Sequence, residues 1–251
     1  MINTFLEHID ACPTARHVVD RASSFLRQSG INQVALDSGF TTEHLRSGFV
    51  SSGGTIIAWK NAHSIAENGI HIVGAHTDSP GLHIKPNPDT RTLNWHQLQV
   101  EVYGGPLLNS WLDRDLGIAG HVVLRDGSTS LFTSQQPVAR IPQLAIHLDR
   151  EVNDKGLVLN RHQHLSPIWA TTGSSAPFES WLAQQVSVSV SQIASWSAQL
   201  IDTQRAQIIG RDSEFIASSR IDNQISCWAA LSALIDVDSD LPMLIALFDH
   251  E

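Results

Sequence analysis

Cysteine is scarce: Cys12 and Cys227 are the two in 251 residues, and they form no C-x-x-C spacing. That is too few for a disulfide framework, so both read as reduced residues in packing positions. Positive charge is also short, with 16 Lys and Arg against 25 Asp and Glu and a formal charge of −9. Nucleic acid and anionic membranes both require a cationic face, so neither is expected as a partner. Long hydrophobic runs are missing too: no stretch approaches the roughly 18 to 20 apolar residues of a membrane helix. The first ten residues carry Glu7 and Asp10 where a signal peptide has its basic end. The expectation is a cytoplasmic protein. Internal repeats and low-complexity tracts are likewise absent. What the chain does have is 42% hydrophobic residues, enough for the core of one large domain or two smaller ones.

Apolar spacing sets the coarse order of elements. Val18, Val19, Ala22, Phe25 and Leu26 lie at helical intervals over residues 15–28, between the start signal Pro13-Thr14 and the stop signal Gly30. Residues 55–59 and 70–75 read as strands, joined through the polar segment 60–69 by a hairpin or a short excursion. Beyond Lys85-Pro86-Asn87-Pro88 the pattern becomes one of short alternating segments. Residues 97–103, 119–124 and 131–133 read as antiparallel strands, with turns at Gly104-Gly105 and Asp126-Gly127. The alternation Val186-Ser187-Val188-Ser189-Val190 favours another strand. From Phe215 the earlier pattern returns, with a helix over residues 226–235 and a wholly apolar strand over residues 242–248.

Two apolar strands thus end in polar residues. Ile72-Val73-Gly74-Ala75-His76-Thr77-Asp78 reads as a buried strand that delivers a histidine and an aspartate at its tip, and residues 242–248 run into Asp249-His250-Glu251. In an open α/β sheet ligands bind beyond the carboxyl ends of strands. A third polar cluster, Arg220-Ile221-Asp222-Asn223, precedes the second helix. A zinc-type cation takes imidazole nitrogen and carboxylate oxygen, which His76 and Asp222 supply. Asp78 stands two residues from His76, so on extended backbone both side chains leave one face and the carboxylate can fix the imidazole tautomer. Glu251 is either a further ligand or a base for water. The same residues admit plainer roles: Asp78 before Ser79-Pro80 suits a turn, and Asp222-Asn223 suits a helix cap.

The string Gly74-Ala75-His76-Thr77-Asp78-Ser79-Pro80 resembles the signature of the aspartyl aminopeptidases, a family of cytosolic dinuclear zinc exopeptidases. Val102-Tyr103-Gly104-Gly105, Trp111-Leu112-Asp113-Arg114-Asp115-Leu116, the block from Arg140 to Leu148, Arg220-Ile221-Asp222-Asn223 and Phe248-Asp249-His250-Glu251 resemble further family blocks in family order. The resemblance implies an α/β fold: a zinc-exopeptidase-like catalytic domain, incomplete here, interrupted by a β-rich dimerisation subdomain. The implied boundaries are residues 1–88 and 214–251 for the catalytic parts and 89–213 for the insertion. It also implies release of N-terminal, acidic residues from peptides. By the same resemblance His76 ligates one zinc, Asp222 bridges two, Asp78 supports His76 and Glu251 is the general base. His147 would reach substrate in a neighbouring subunit, which makes homo-oligomerisation part of catalysis. Related two-metal peptidases often have a cis bond after the bridging aspartate. Zinc is the implied metal, and Co2+ or Mn2+ accept the same donors.

One departure bears on activity. The family continues past the position of Glu251 with a second glutamate and further aspartate and histidine ligands. The expectation is a truncated catalytic domain, and the alternative function is a noncatalytic fragment that serves only as an oligomerising module. Gly81, where many relatives have cysteine, is not expected to affect ligation.

Overall fold

A computed structural model describes residues 2–134, 136–171, 173 and 176–250. In chain order the first elements are α1 (Ile2–Ala11), α2 (Ala15–Gln28), β1 (Ser47–Ser52), β2 (Thr55–Lys60), α3 (Ile65–Asn68) and β3 (His71–His76). Next come β4 (Gly81–Thr92), β5 (Trp95–Tyr103), β6 (Leu116–Leu124), β7 (Thr129–Thr133), α4 (Val152–Lys155), β8 (Ile168–Thr171), α5 (Phe178–Gln185) and β9 (Ile193–Asp202). The chain closes with β10 (Gln207–Ile209), β11 (Phe215–Ala217), α6 (Ile221–Asp236) and β12 (Met243–Phe248). These fall into two compact units, Met1–Ser79 with Arg205–Glu251, and Pro80–Gln204.

The first unit is a four-stranded sheet in the order β1-β2-β12-β3 with helices packed on it. β1 and β2 form a hairpin closed by Gly53-Gly54, with Ser52 opposite Thr55 and Gly53 at φ 60°. That positive φ is one glycine adopts without a Cβ clash. β2 and β3 are not neighbours, so the hairpin alternative for residues 60–69 gives way to an excursion through α3. β12 lies between them, antiparallel to β2 and parallel to β3. Only a distant strand could separate them, because the short polar connection sets no pairing partner of its own. α2 buries Val18, Val19, Ala22 and Leu26, and α6 buries Cys227, Ala230, Leu231 and Leu234, all in one core with Phe49, Ile56 and Leu247. The expected burial of the strand at Ile72-Val73 is corrected: β3 is the sheet edge, and these residues are 63% and 48% exposed. Strand apolarity reports a need for cover, and no described element covers that part of β3.

The second unit is a six-stranded sheet in the order β7-β6-β9-β4-β5-β8, antiparallel at every pairing. Its first boundary falls before Pro80 rather than after Pro88. Lys85-Pro86-Asn87-Pro88 lies inside β4, where the register against β5 slips between Ile84 and Asp89. Proline lacks the amide that a ladder needs, and a bulge is where a strand tolerates it. The second boundary similarly falls at Gln204 rather than at residue 213, because the β10-β11 ribbon groups with the first unit. Past the bulge the Asp89 carboxylate lies 2.6 Å from Nε2 of the fully buried His96 and accepts the Phe178 amide at 3.1 Å. This carboxylate therefore anchors the start of α5, whose Phe178, Leu182 and Ala183 complete the core.

Two further expectations change in detail. β6 and β7 form the hairpin expected at Asp126-Gly127, whereas β5 leaves Gly104 for a turn and a short 3-10 segment and pairs instead with β4 and β8. The strand favoured at 186–190 is a turn, with Ser187 at φ 56° and a capping box between Ser189 and Gln192. Val186 and Val188 pack on the core from this turn, which produces alternation without a ladder.

Candidate metal centre

The strand tip and the start of α6 come together as the sequence suggests. His76 ends β3 and is 15% exposed at its side chain. Its Nδ1 faces Asp78 Oδ1 at 3.3 Å and the Asp78 carbonyl at 3.2 Å. Both are acceptors, so the ring proton belongs on Nδ1 and the Nε2 lone pair is free. Nε2 points at Asp222 Oδ1, 3.4 Å away. The Asp222 carboxylate is 88% exposed and the Asp78 carboxylate 10%. One acid is therefore open to an arriving ligand and the other is set behind the ring.

A tetrahedral zinc with bonds near 2.05 Å to nitrogen and 2.1 Å to oxygen has a ligand-to-ligand edge of about 3.4 Å. The Nε2 to Oδ1 separation matches that edge, so this donor pair fits one shared cation. Among the described residues no group of three or more His, Cys, Asp or Glu is disposed to hold a metal. Glu251, expected as base, lies outside the described residues.

Asp222 owes its position to an irregular helix start. Arg220 takes φ 59°, the Asp222-Asn223 peptide is cis as the family resemblance implies, and both residues have non-helical angles before regular turns begin. No side chain caps the helix there, so the capping role considered for Asp222-Asn223 is not the one they fill. Asn223 Oδ1 instead accepts the His76 amide at 3.2 Å, and Asn223 Nδ2 donates to Asp222 Oδ1 at 3.2 Å.

The sequence reading missed the residues that hold the tip itself. Cys227 donates its thiol to the His76 carbonyl at 3.0 Å, and Gln224 Nε2 donates to the Thr77 carbonyl at 2.8 Å. Burial first, and the Asp78 charge second, push the Cys227 thiol up to about 12, so it stays protonated as a donor. Thr77 is 2% exposed; its hydroxyl donates to the Gly54 carbonyl at 2.6 Å and its amide to the Phe248 carbonyl at 2.8 Å. One signal existed: Gln224 is a polar residue in register with the apolar stripe Cys227, Leu231 and Leu234.

The parallel pairing places Phe248 opposite His76, so Asp249 and His250 leave the sheet next to the histidine. The Asp249 amide is held by Thr55 Oγ1 at 2.9 Å, and its carboxylate packs over Gly54, where a Cβ would collide with it. His147 belongs to the second unit. It is exposed, on a turn flanked by the exposed Leu144, Ile146 and Leu148. That segment is fastened at its base, where the Asp113 amide donates to the Ile141 carbonyl at 2.8 Å and Asp113 Oδ1 accepts the Gln143 amide at 3.3 Å.

Comparison with known proteins places the chain in a family. Residues 8–251 match the family model described as aminopeptidase I zinc metalloprotease (M18). A Streptomyces coelicolor protein named probable M18 family aminopeptidase 2 is 41% identical over 252 residues, covering 97% of this chain and 58% of its own length. A relative of the same name from Ectopseudomonas mendocina is 39% identical, covering 100% of this chain and 61% of its own. The chain thus spans about three fifths of these curated relatives. Among solved structures, a chain of the Ape4 and Nbr1 complex superposes with a TM-score of 0.91 at 28% identity, covering 99% of this chain and 54% of that one. The mApe1 dodecamer of S. cerevisiae gives 0.81 at 25% identity, covering 99% and 60%. The chain belongs to the M18 family of aminopeptidase I zinc metalloproteases.

Proposed function

We propose that the protein is a zinc-dependent aminopeptidase that releases N-terminal residues, acidic ones in preference, from peptides in the cytoplasm. The observation that carries this reading is His76, with Nδ1 on Asp78 and Nε2 set 3.4 Å from the open Asp222 carboxylate. His76 and Asp222 would hold metal, with two ions per complete site on this reading, and Asp78 keeps the His76 ring in its tautomer and plane. Zinc, when bound, supplies Lewis acidity toward the scissile carbonyl and toward water. Glu251 takes the proton from water and returns one to the leaving amine. Co2+ and Mn2+ are acceptable substitutes for an N/O donor set. The reduced, buried Cys12 and Cys227 suit a cytoplasmic location.

The β-rich unit joins copies of the chain, and His147 contacts substrate in a neighbouring site. Support comes from the exposed apolar residues around His147 and from the dodecamer formed by the S. cerevisiae relative. An exposed cluster of large apolar side chains marks a surface that is covered in an assembly. A second reading, an oligomerising module without catalysis, is favoured by one observation: only two donors face a shared cation among the described residues.

Hydrolysis of aspartyl, glutamyl, leucyl and lysyl anilides, measured with and without a chelator and after zinc is restored, tests both readings. The proposal expects chelator-sensitive release of Asp and Glu, recovered with zinc. A purified protein that holds no zinc and cleaves none of these substrates yet forms a stable oligomer supports the module reading instead.

A further inference from the structure

α6 grips the strand tip at three points beyond Asp222. Asn223 holds the His76 amide, Cys227 the His76 carbonyl and Gln224 the Thr77 carbonyl. The first two act on the ligand's own peptide units. Gln224 differs because it is 1% exposed and bifunctional, so its amide has two possible orientations in a place where water cannot compensate a wrong one.

With Nε2 on the Thr77 carbonyl, Oε1 has no hydrogen bond of its own and is buried. Another buried polar atom in the same state is His8 Nε2, on α1, from a ring 1% exposed. The two are complementary when the ring carries its proton on Nε2, and the Gln224 side chain stands near enough to favour a protonated His8 ring. On its other side His8 Nδ1 faces Cys12 Sγ at 3.9 Å. Were the amide turned over, its oxygen would meet the Thr77 carbonyl oxygen and its NH2 would meet the His8 N–H. The first contact is repulsive whatever the His8 tautomer, so the Thr77 carbonyl sets the amide orientation and the His8 ring, with its proton on Nε2, complements it.

We infer that Gln224 is a positioning residue for the His76 ligand: its amide, backed by the buried His8 ring, fixes the Thr77–Asp78 peptide that carries the partner of the His76 imidazole. The inference rests on the reading of His76 as a metal ligand. Thr77 is otherwise tied to Gly54 and Phe248, so the Gln224 bond joins its carbonyl to the helix carrying Asp222, next to the Cys227 bond on the His76 carbonyl. Loss of the link leaves both ligands present but loosens their spacing. The deficit belongs to metal affinity before it belongs to turnover.

The test measures zinc dissociation constants by competition with a chromophoric chelator, in the protein expressed from its whole gene. Gln224→Met keeps side-chain volume and removes both polar atoms. Its zinc affinity is expected to fall roughly 10- to 100-fold, the range for removing an outer partner of a metal ligand. The lost turnover is expected to return at saturating zinc with KM unchanged, which a general defect in folding would not produce. His8→Leu is expected to weaken zinc roughly 3- to 10-fold, and His8→Gln, which keeps an N–H donor, to recover most of that loss. A folded Gln224→Met protein with zinc affinity within about twofold of wild type overturns the inference. If Gln224→Met does not fold, the His8 pair decides, and equal zinc affinity for Leu and Gln overturns it. If wild type binds zinc and His76→Ala abolishes binding while these variants do not disturb it, the inference fails alone. If wild type binds none, the metal reading fails first.

Discussion

Removal of the Asp78 carboxylate is the sharpest test of how the strand tip prepares His76. The carboxylate is 10% exposed and 3.3 Å from Nδ1, so the contact is a charge-assisted hydrogen bond largely shielded from water. Such a bond contributes about 1.5–3 kcal/mol. The Asp78 carbonyl, 3.2 Å from the same nitrogen, survives any side-chain substitution and keeps one acceptor in place. Asp78→Ala is therefore expected at the low end, about 1.5–2 kcal/mol, which weakens zinc roughly 10- to 30-fold. Asp78→Asn keeps a neutral acceptor of about half the strength and should weaken zinc roughly 3- to 5-fold. Chelator competition on both proteins, with urea unfolding to confirm intact folds, measures the two numbers. Unchanged affinity in Asp78→Ala, or an Asn variant as impaired as the Ala variant, refutes the orienting role.

Three further outcomes follow from the same residues. His76→Ala is expected to lose zinc and activity together, whereas Glu251→Gln keeps zinc and loses most turnover; metal analysis beside kinetics separates them, and equal zinc loss contradicts the division of roles. His147→Ala is expected to retain metal and lose turnover, and mixing it with inactive Glu251→Gln subunits should restore activity in part; normal kinetics in His147→Ala removes the cross-subunit assignment. His8 makes stability depend on pH, because burial, then the Arg21 charge, lowers it to about 4 from an ordinary 6.5. The unfolded chain binds that proton first, so stability is fully present above about pH 6.5 and falls by about 3 kcal/mol as pH drops toward 4. His8→Gln should flatten the urea midpoint across that window, and an unchanged slope would contradict the assignment.

Much of the candidate site is legible in the chain because it is built from local rules. An apolar run that ends in His-x-Asp says that two side chains leave one face of a strand tip, and His76 and Asp78 do so. Asp222 is legible as a polar residue at a helix start, although its angles there are not helical. Gln224, Thr77 and Cys227 are less legible because their roles depend on partners about 150 positions away in sequence. No period or spacing encodes a bond between a helix side chain and the carbonyl of a distant strand. The boundary at Pro80 was hidden for another reason. Two prolines in four residues usually punctuate a chain, but a bulge in β4 absorbs them and turns Asp89 toward His96. The β12 position was hidden in a third way: strand apolarity gives a strand's burial and leaves its neighbours open.

That insertion of β12 between β2 and β3 is what makes one site from three distant segments. The His76 tip needs a parallel neighbour whose C-terminal end reaches the same edge, because only parallel strands present their carboxyl ends together. β2 runs the other way and could not supply it. β12 does, with Phe248 opposite His76 and its carbonyl accepting the Thr77 amide. The helix that leads into β12 is α6, so the same stretch that returns the chain to the sheet brings Asp222 to within 3.4 Å of His76 Nε2. The candidate donors, the groups that orient them and the exit of β12 are consequences of one crossover. A substitution that displaces β12, such as a charge at the fully buried Leu247, should therefore perturb His76 and Asp222 together, although it touches neither.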